Sequence, residues 1–152
     1  MAEEKDLLLA IAKSQHKDIP SILVYTDWLQ DHGHTLRAEY IRSCVALFQG
    51  RPSREAKRLI NKRSSLEKYV EKRYIFDVVS AACGNAGFGF SHSDLGLLGL
   101  FHCYTIHWSA LAGPLMAVQP LFRVYLAGNR EEIDKDALLR PDWGHLYFNF
   151  SW

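Results

Sequence analysis

A glycine-rich stretch divides the chain into two parts of different character. Five of the ten glycines fall between Gly84 and Gly99. Before this stretch apolar residues recur at helical spacing, whereas after it apolar and aromatic residues come in short runs typical of strands. The sequence therefore predicts an α+β fold, in which an N-terminal helical bundle over residues 1–83 packs against a short parallel sheet over 101–152. Residues 84–100 are predicted to be a connector between these two domains.

The helical part contains start and stop signals. After an amphipathic opening segment, Pro20 suits the first turn of a second helix, and Gly33 suits the position just after its end. A third helix is predicted to begin near Thr35 and to end at Gly50. The region 53–82 is also predicted to be helical. Because the middle of that region has capping-box spacing, one helix and two helices both remain open there.

Composition and charge narrow the class of protein. The chain of 152 residues is 48% hydrophobic and 23% charged, which is ordinary for a globular domain. Its formal charge of +1 gives no global attraction to nucleic acid or to an anionic membrane. The three cysteines are widely separated and odd in number, unlike the framework of a small secreted domain. Since the sequence also lacks a signal peptide and a membrane span, we predict a soluble cytoplasmic protein with reduced thiols and no membrane partner.

The C-terminal third contains an internal repeat. Leu121, Val124, Leu126 and Asn129 fit the leucine-rich-repeat frame L-x-x-L-x-L-x-x-N. Two looser units lie twenty positions earlier and twenty-two positions later, at Phe101, Tyr104, Ile106 and Ser109, and at Trp143, Leu146, Phe148 and Ser151. Each unit would be a short strand followed by a return segment that stacks on its neighbour. Only one unit matches strictly, so an ordinary α+β sheet that fits the frame by chance remains an alternative.

The return segments have the length that parallel strands need for a crossover. Pro114 is predicted to start a short helix in the first of them, and the charged segment 130–140 to form a helical turn in the second. If the repeat is present, the last unit ends at Trp152 without an evident capping repeat. Its strand edge would then offer backbone donors and acceptors to another chain.

The second and third predicted helices carry a two-part signature. It comprises Tyr25, Asp27, Trp28, Leu29, Asp31, Gly33, Arg37, Ala38, Glu39, Ile41 and Arg42. This run resembles the bacterial repeat-companion domain, whose hallmark is a YADWLEE-like helix, a glycine and a RAEFIR-like helix. Thr26 and Tyr40 depart mildly from the pattern, and the likeness covers roughly residues 7–48. The resemblance implies an attachment to leucine-rich-like repeats, and it implies no known enzymatic activity.

The polar residues of this signature have two interpretations. The functional one is a recognition surface for a partner. The structural one, which we favour, is a set of hydrogen bonds and ion pairs that fixes the turn around Gly33. The residues concerned are Asp27, Asp31, Arg37, Glu39 and Arg42. Trp28 is predicted to be a core residue.

Motifs for metal, cofactor or catalytic chemistry are weak. The glycine-rich stretch lacks the lysine of a P-loop and the strand–helix context of a dinucleotide site. Surface histidines and a buried thiol explain the remaining candidate ligands more simply than a zinc site does. Those candidates are His32, His34, His92, His102, Cys103 and His107. We find no nucleophile elbow, catalytic-cysteine motif or zinc-protease helix, so the sequence predicts no cofactor and no enzyme.

Two kinds of partner follow from these patterns. The first is a protein, either another molecule or a second copy of this chain, bound through the face or terminal edge of the predicted sheet. The candidate residues are Tyr104, Ile106, Val124, Tyr125, Phe148 and Trp152. The alternative is nucleic acid, because nine of the 18 lysines and arginines lie between Arg51 and Arg73. Within that stretch, four-residue steps align Arg54, Arg58 and Lys62 on one helical face, although we favour a solvated face balanced by acidic residues elsewhere.

Overall fold

The computed structural model describes residues 3–50, 53–66, 73–84, 87–92, 95–128 and 145–151. Helices dominate the N-terminal part and strands the C-terminal part, which confirms the predicted α+β class. In chain order the elements are α1 (Glu4–Lys13), α2 (Ile19–Asp31), α3 (Thr35–Phe48), α4 (Ser53–Leu66), α5 (Arg73–Cys83), β1 (Phe88–His92), β2 (Leu98–Tyr104), α6 (Thr105–Met116), β3 (Arg123–Ala127) and β4 (Tyr147–Ser151). Within the described residues no helix has the length and apolar character needed to cross a membrane.

The first three helices form where local signals predict them. Asp18 caps α2 by accepting a hydrogen bond from the backbone N–H of Ser21, and Pro20 lies in the first turn. Gly33 turns the chain between α2 and α3 with a φ of +83°, a conformation that favours glycine. Apolar faces of the three helices meet in a helical core. Its buried residues are Leu8, Ile11, Ile22, Tyr25, Leu29, Ala38, Tyr40, Ile41, Cys44, Val45, Leu95 and Leu97.

The structure describes two helical segments in the next region, α4 and α5, and residues 67–72, which would decide between one helix and two, lie outside the described residues. α4 packs beside α3 and buries Leu59. α5 packs beside α6 and contributes Ile75 and Val79 to the core under the sheet. The predicted capping box between these helices includes Glu67, which lies outside the described residues.

The sheet has the order β1-β2-β3-β4, and its strands are not all parallel. β2, β3 and β4 run parallel, as predicted, whereas β1 runs antiparallel to β2. The prediction of a connector over 84–100 is therefore wrong where β1 and the first residues of β2 lie. Glycine and phenylalanine alternate from Gly87 to Phe90, and this period of two is that of a strand.

Leu121, Val124 and Leu126 of the predicted central unit are buried and Asn129 lies outside the described residues, but the predicted spacing of the outer units is wrong. Phe101 lies beside Val124, twenty-three positions later, and Val124 lies beside Phe148, twenty-four positions later. The predicted offsets were twenty and twenty-two. The frame therefore shifts in the outer units, so that Phe101 and Cys103 occupy the buried positions that Tyr104 and Ile106 were expected to fill. Apolar residues are so dense here that several frames fit the same stretch.

α6 forms the crossover between the parallel strands β2 and β3. The helix begins at Thr105, so the prediction that Pro114 starts it is wrong. Pro114 lies near the other end, where a missing N–H removes one hydrogen bond shortly before the helix stops. α6 and α5 cover the inner face of the sheet. The buried residues of this sheet core are Ile75, Val79, Leu98, Phe101, Cys103, Trp108, Leu111, Ala112, Leu115, Leu121, Val124 and Leu126.

Polar contacts join the helical core to the segment 118–122 that precedes β3. His16 is buried, and its Nε2 lies 2.7 Å from the carbonyl oxygen of Pro120. Arg37 is also buried and donates a hydrogen bond of 3.0 Å to the carbonyl oxygen of Val118. Polar and charged groups are buried at low cost only when they are hydrogen-bonded, so these contacts fix where the helices meet the sheet.

Candidate functional site

The face of the sheet that points away from α5 and α6 carries a distinctive set of side chains. We call it the outer face. Strand alternation puts Phe101, Cys103, Val124 and Leu126 on the inner side and their neighbours on the outer side. The outer face comprises Gly87 and Gly89, Leu100, His102 and Tyr104 of β2, Arg123, Tyr125 and Ala127 of β3, and Tyr147 and Asn149 of β4.

Two glycines let aromatic rings lie low on this face. Gly89 pairs with His102, and a Cβ atom added at Gly89 would collide with the imidazole ring. A Cβ atom at Gly87 would lie 3.4 Å from Cε2 of the Tyr104 ring. Glycine inside a strand often marks such a close approach, because it has no side chain of its own. The alternation of glycine and phenylalanine therefore points the phenylalanine side chains toward the core and leaves room for neighbouring rings on the outer face.

The outer face combines aromatic, cationic and amide groups. Tyr104 is 55% exposed and Tyr147 is 61% exposed. The Arg123 guanidinium lies 5.6 Å from the centre of the Tyr147 ring, within the range of a cation–π interaction. Arg123 Nε and Asn149 Oδ1 are covered and have no hydrogen-bond partner among the described residues. No described position of the face carries a carboxylate, so its charge is positive.

Only part of the predicted protein-binding set lies on this face. Tyr104 and Tyr125 belong to it, and Ile106 is 58% exposed at the start of α6 rather than on a strand. Val124 is fully buried, and Phe148 packs on the inner side against Trp108, with ring centres 5.9 Å apart. The prediction for Val124 is therefore wrong, because a side chain inside the core does not meet a partner of the folded chain, whereas Phe148 is only partly buried and stays a prediction on the inner side. Trp152 lies outside the described residues.

Sequence reasoning missed the polar and aromatic members His102, Arg123, Tyr147 and Asn149 of the face. His102 was considered only as a metal ligand. The others fall on the solvent side of strands whose register the sequence did not reveal. Residues one position apart on a strand point to opposite faces. Because Val124 is buried, this alternation predicts that Arg123 lies on the solvent side of β3.

The polar residues of the α2–α3 signature mainly hold the helices together. Arg42 on α3 donates to the Asp27 carboxylate at 2.7 Å and to the Thr26 hydroxyl at 3.1 Å, both on α2. Arg37 donates to the Tyr25 hydroxyl at 3.1 Å as well as to Val118. These contacts confirm the structural interpretation for both arginines.

The other members of the signature differ in their surroundings. Glu39 lies 3.6 Å from the Lys62 ammonium. Glu39 therefore contacts α4, whereas Arg42 contacts α2. Asp31 is exposed at the end of α2. Trp28 is half-buried rather than fully buried, and its ring stacks on that of His32 with a centroid separation of 3.9 Å. The predicted core position of Trp28 is therefore at the margin of the helical core.

The described cysteines and histidines do not assemble into a metal-binding group of three or more ligands. Burial, and secondarily the neighbouring Cys83, raises the pKa of the Cys103 thiol to about 12. Burial also raises the pKa of Cys83. Both thiols are therefore protonated at neutral pH, which disfavours nucleophilic attack by either sulfur. The side chain of His92, another candidate ligand, lies outside the described set.

The basic stripe predicted for nucleic acid lies on α4 as expected. Arg54, Arg58 and Lys62 are all exposed, whereas Leu59 of the same helix is buried. Lys62 is partly engaged by Glu39. Arg51, at the start of the basic stretch, lies outside the described residues.

Comparisons with known proteins give no assignment for the chain. No protein-family model matches it, and no curated protein or solved structure matches it. The likeness to the repeat-companion domain therefore stays a prediction that depends on the residues of α2 and α3.

Proposed function

We propose that this chain is a protein-interaction module whose outer face binds an acidic, extended segment of a partner protein. The observation that carries the proposal is the set of three outer-face tyrosines, one on each of the parallel strands β2, β3 and β4, with Arg123 paired with Tyr147 and two positions before Tyr125 on the same strand. Tyrosine and arginine are enriched among residues that dominate binding energy, because each buries a large surface and keeps a polar group for hydrogen bonding.

Charge complementarity favours the acidic partner. Arg123 and His102 are the ionisable side chains other than tyrosine at the described positions of the face, and neither has a carboxylate beside it there. A partner carboxylate could accept hydrogen bonds from the guanidinium, which is held over the Tyr147 ring. Arg123 Nε is already covered. A ligand that contacts the other atoms of the guanidinium would therefore cause no further desolvation of Nε.

A peptide-display selection on the intact protein tests this function. We expect the selected peptides to be rich in Asp and Glu, and we expect Arg123→Glu and Tyr147→Ala to weaken their binding by about tenfold or more each. Leu36→Ala is the matched control, because Leu36 is 58% exposed but lies on α3. The proposal fails if no acidic peptides are selected, or if they bind the outer-face variants and the control equally well.

We also propose a cytoplasmic setting and a relationship to the repeat-companion family, supported by the α2–α3 signature. The three cysteines are free. Self-association is a further form of protein binding, and it is supported by β4, which pairs on one side only among the described strands. Sedimentation of the intact chain and of Arg123→Glu distinguishes self-association through the outer face from self-association elsewhere. If Arg123→Glu still forms a dimer, the dimer does not depend on the outer face.

Nucleic-acid binding is a second candidate, favoured by the exposed stripe on α4. A protein that neutralises several phosphates loses affinity steeply as salt rises. The double variant Arg54→Glu/Arg58→Glu should abolish any shift of DNA or RNA at low salt, whereas Lys17→Glu, an exposed cation before α2, should not. Absence of a shift with the unmodified protein at low salt would remove this candidate.

A further inference from the structure

β1 forms one edge of the sheet and pairs only with β2 among the described strands. Its other side therefore presents backbone donors and acceptors with which another strand can pair. Proteins usually protect such an edge with a lysine, another charged side chain or a proline. β1 has the sequence Phe-Gly-Phe-Ser-His, and its regular part, residues 88–91, contains none of these protective residues.

An aromatic cluster continues from the sheet core to this edge. Phe88 stacks on the buried Phe101, with ring centres 5.7 Å apart, and Phe88 and Phe90 are themselves only partly buried. The Phe76 ring of α5 lies 5.1 Å from that of Phe88 and 6.5 Å from that of Phe90. Phe76 is nevertheless 52% exposed. The cluster therefore ends at a large apolar side chain in water, beside a strand with an unpaired side.

The residues of β1 make the edge complementary to itself. Two copies of one strand can pair antiparallel about a two-fold axis, and charged residues of such a strand would lie near charges of the same sign. The regular part of β1 carries no charge, so this repulsion is absent. Directly opposite residues of an antiparallel pair point to the same side of the sheet. Pairing about Gly89 therefore puts Phe88 opposite Phe90 of the second copy, and cross-strand aromatic pairs stabilise a sheet.

We infer that β1 pairs antiparallel with β1 of a second copy of this chain, so that the two four-stranded sheets join and the Phe76 side chains are covered at the joint. The two outer faces then lie on the same side of the joined sheet. The rings of His102 and Tyr104, which lie close to Gly89 and Gly87, are nearest to the joint. This inference does not depend on the acidic partner proposed for the outer face, and it concerns the opposite edge of the sheet from β4.

Two measurements on the unmodified protein test this pairing. Sedimentation should show a monomer–dimer equilibrium with a dissociation constant of about 1–100 μM, because one strand pair and a few aromatic side chains form a small interface. Hydrogen exchange followed by NMR should show that the backbone amides of β1 exchange more slowly as the protein concentration rises, because pairing protects them. The amides of β4 should show no such dependence, since the proposed dimer leaves that edge unchanged.

A variant at the exposed ring makes the result decisive. Phe76→Lys should weaken the dimer by about tenfold or more, because it removes apolar contact and places like charges at the joint. Leu36→Lys is the matched control and should leave the dimer unchanged, because Leu36 is 58% exposed on α3. Circular dichroism checks that both variants fold. A protein that stays monomeric up to about 1 mM would overturn the inference. A dimer that protects the amides of β4 instead of those of β1, or that Phe76→Lys leaves as tight as before, would also overturn it.

Discussion

Replacing Gly96 with alanine would place a methyl group where the segment before β2 meets the helical core. Gly96 has a φ of +77°, a left-handed conformation that costs an L residue free energy. A Cβ atom there would lie 2.7 Å from the sulfur of Cys44 and 3.0 Å from Cε1 of Tyr40. Both neighbours are 2% exposed, so neither side chain can move aside into solvent.

The expected loss of stability has two parts. The left-handed backbone costs about 1–2 kcal/mol for alanine, and overpacking of a filled core costs about 1–3 kcal/mol. Gly96→Ala should therefore lower the free energy of unfolding by about 2–5 kcal/mol, which is a large fraction of the stability of an ordinary domain. Equilibrium unfolding in urea, followed by circular dichroism, measures this change.

A double-mutant cycle separates the two parts. In a Cys44→Ala background the sulfur is gone, so the steric part should largely disappear while the backbone part remains. The matched control is Gly113→Ala on α6, where an added Cβ meets nothing within 4 Å and should stabilise the helix by about 0.5–1 kcal/mol. The reasoning is refuted if Gly96→Ala is as stable as the unmodified chain, or if Cys44→Ala recovers none of the loss.

Three further predictions concern the outer face, the joint between helices and sheet, and the thiols. Gly89→Ala should displace the His102 ring, seen as a change in its NMR chemical shifts, and unchanged shifts would contradict the described packing. Arg37→Met should lower the free energy of unfolding in urea by about 1–3 kcal/mol, because Val118 loses its hydrogen-bond donor; an unaltered value would count against that contact. The raised pKa of Cys103 favours the protonated thiol in the folded state, so stability should be retained below pH 9.0 and fall as the pH rises towards about 12. Urea midpoints at these pH values, compared with those of Cys103→Ala, check this prediction, and identical pH profiles would disprove it.

The sequence predicts the helical half well because its signals are local. Pro20 and Gly33 mark the ends of α2 within a few residues of where they act, and these positions agree with the structure. The contacts of Arg42 with α2 also follow from the short distance between two consecutive helices. Such features depend on neighbouring residues and need no knowledge of distant ones.

The sheet is harder to predict, because its register depends on residues that lie twenty-three or twenty-four positions apart. A density of glycine favours a loop, although the alternation of Gly89 with Phe88 and Phe90 is that of a strand. An error of three positions in the first repeat unit exchanges the faces of its residues, so Tyr104 lies on the outer face where the frame predicts a buried position. The error of two positions in the last unit leaves the faces unchanged, and Tyr147 lies on the side of β4 that the frame does not include.

The segment 118–122 contacts the helical core and also continues into the sheet. It receives the hydrogen bond from Arg37, contacts His16 and leads directly into β3. Substitutions at His16 and Arg37 therefore act on one shared stretch of backbone, although the two side chains come from different places in the chain. Their effects on stability should not add, and the size of the departure from additivity would measure how stiffly these five residues behave as a unit.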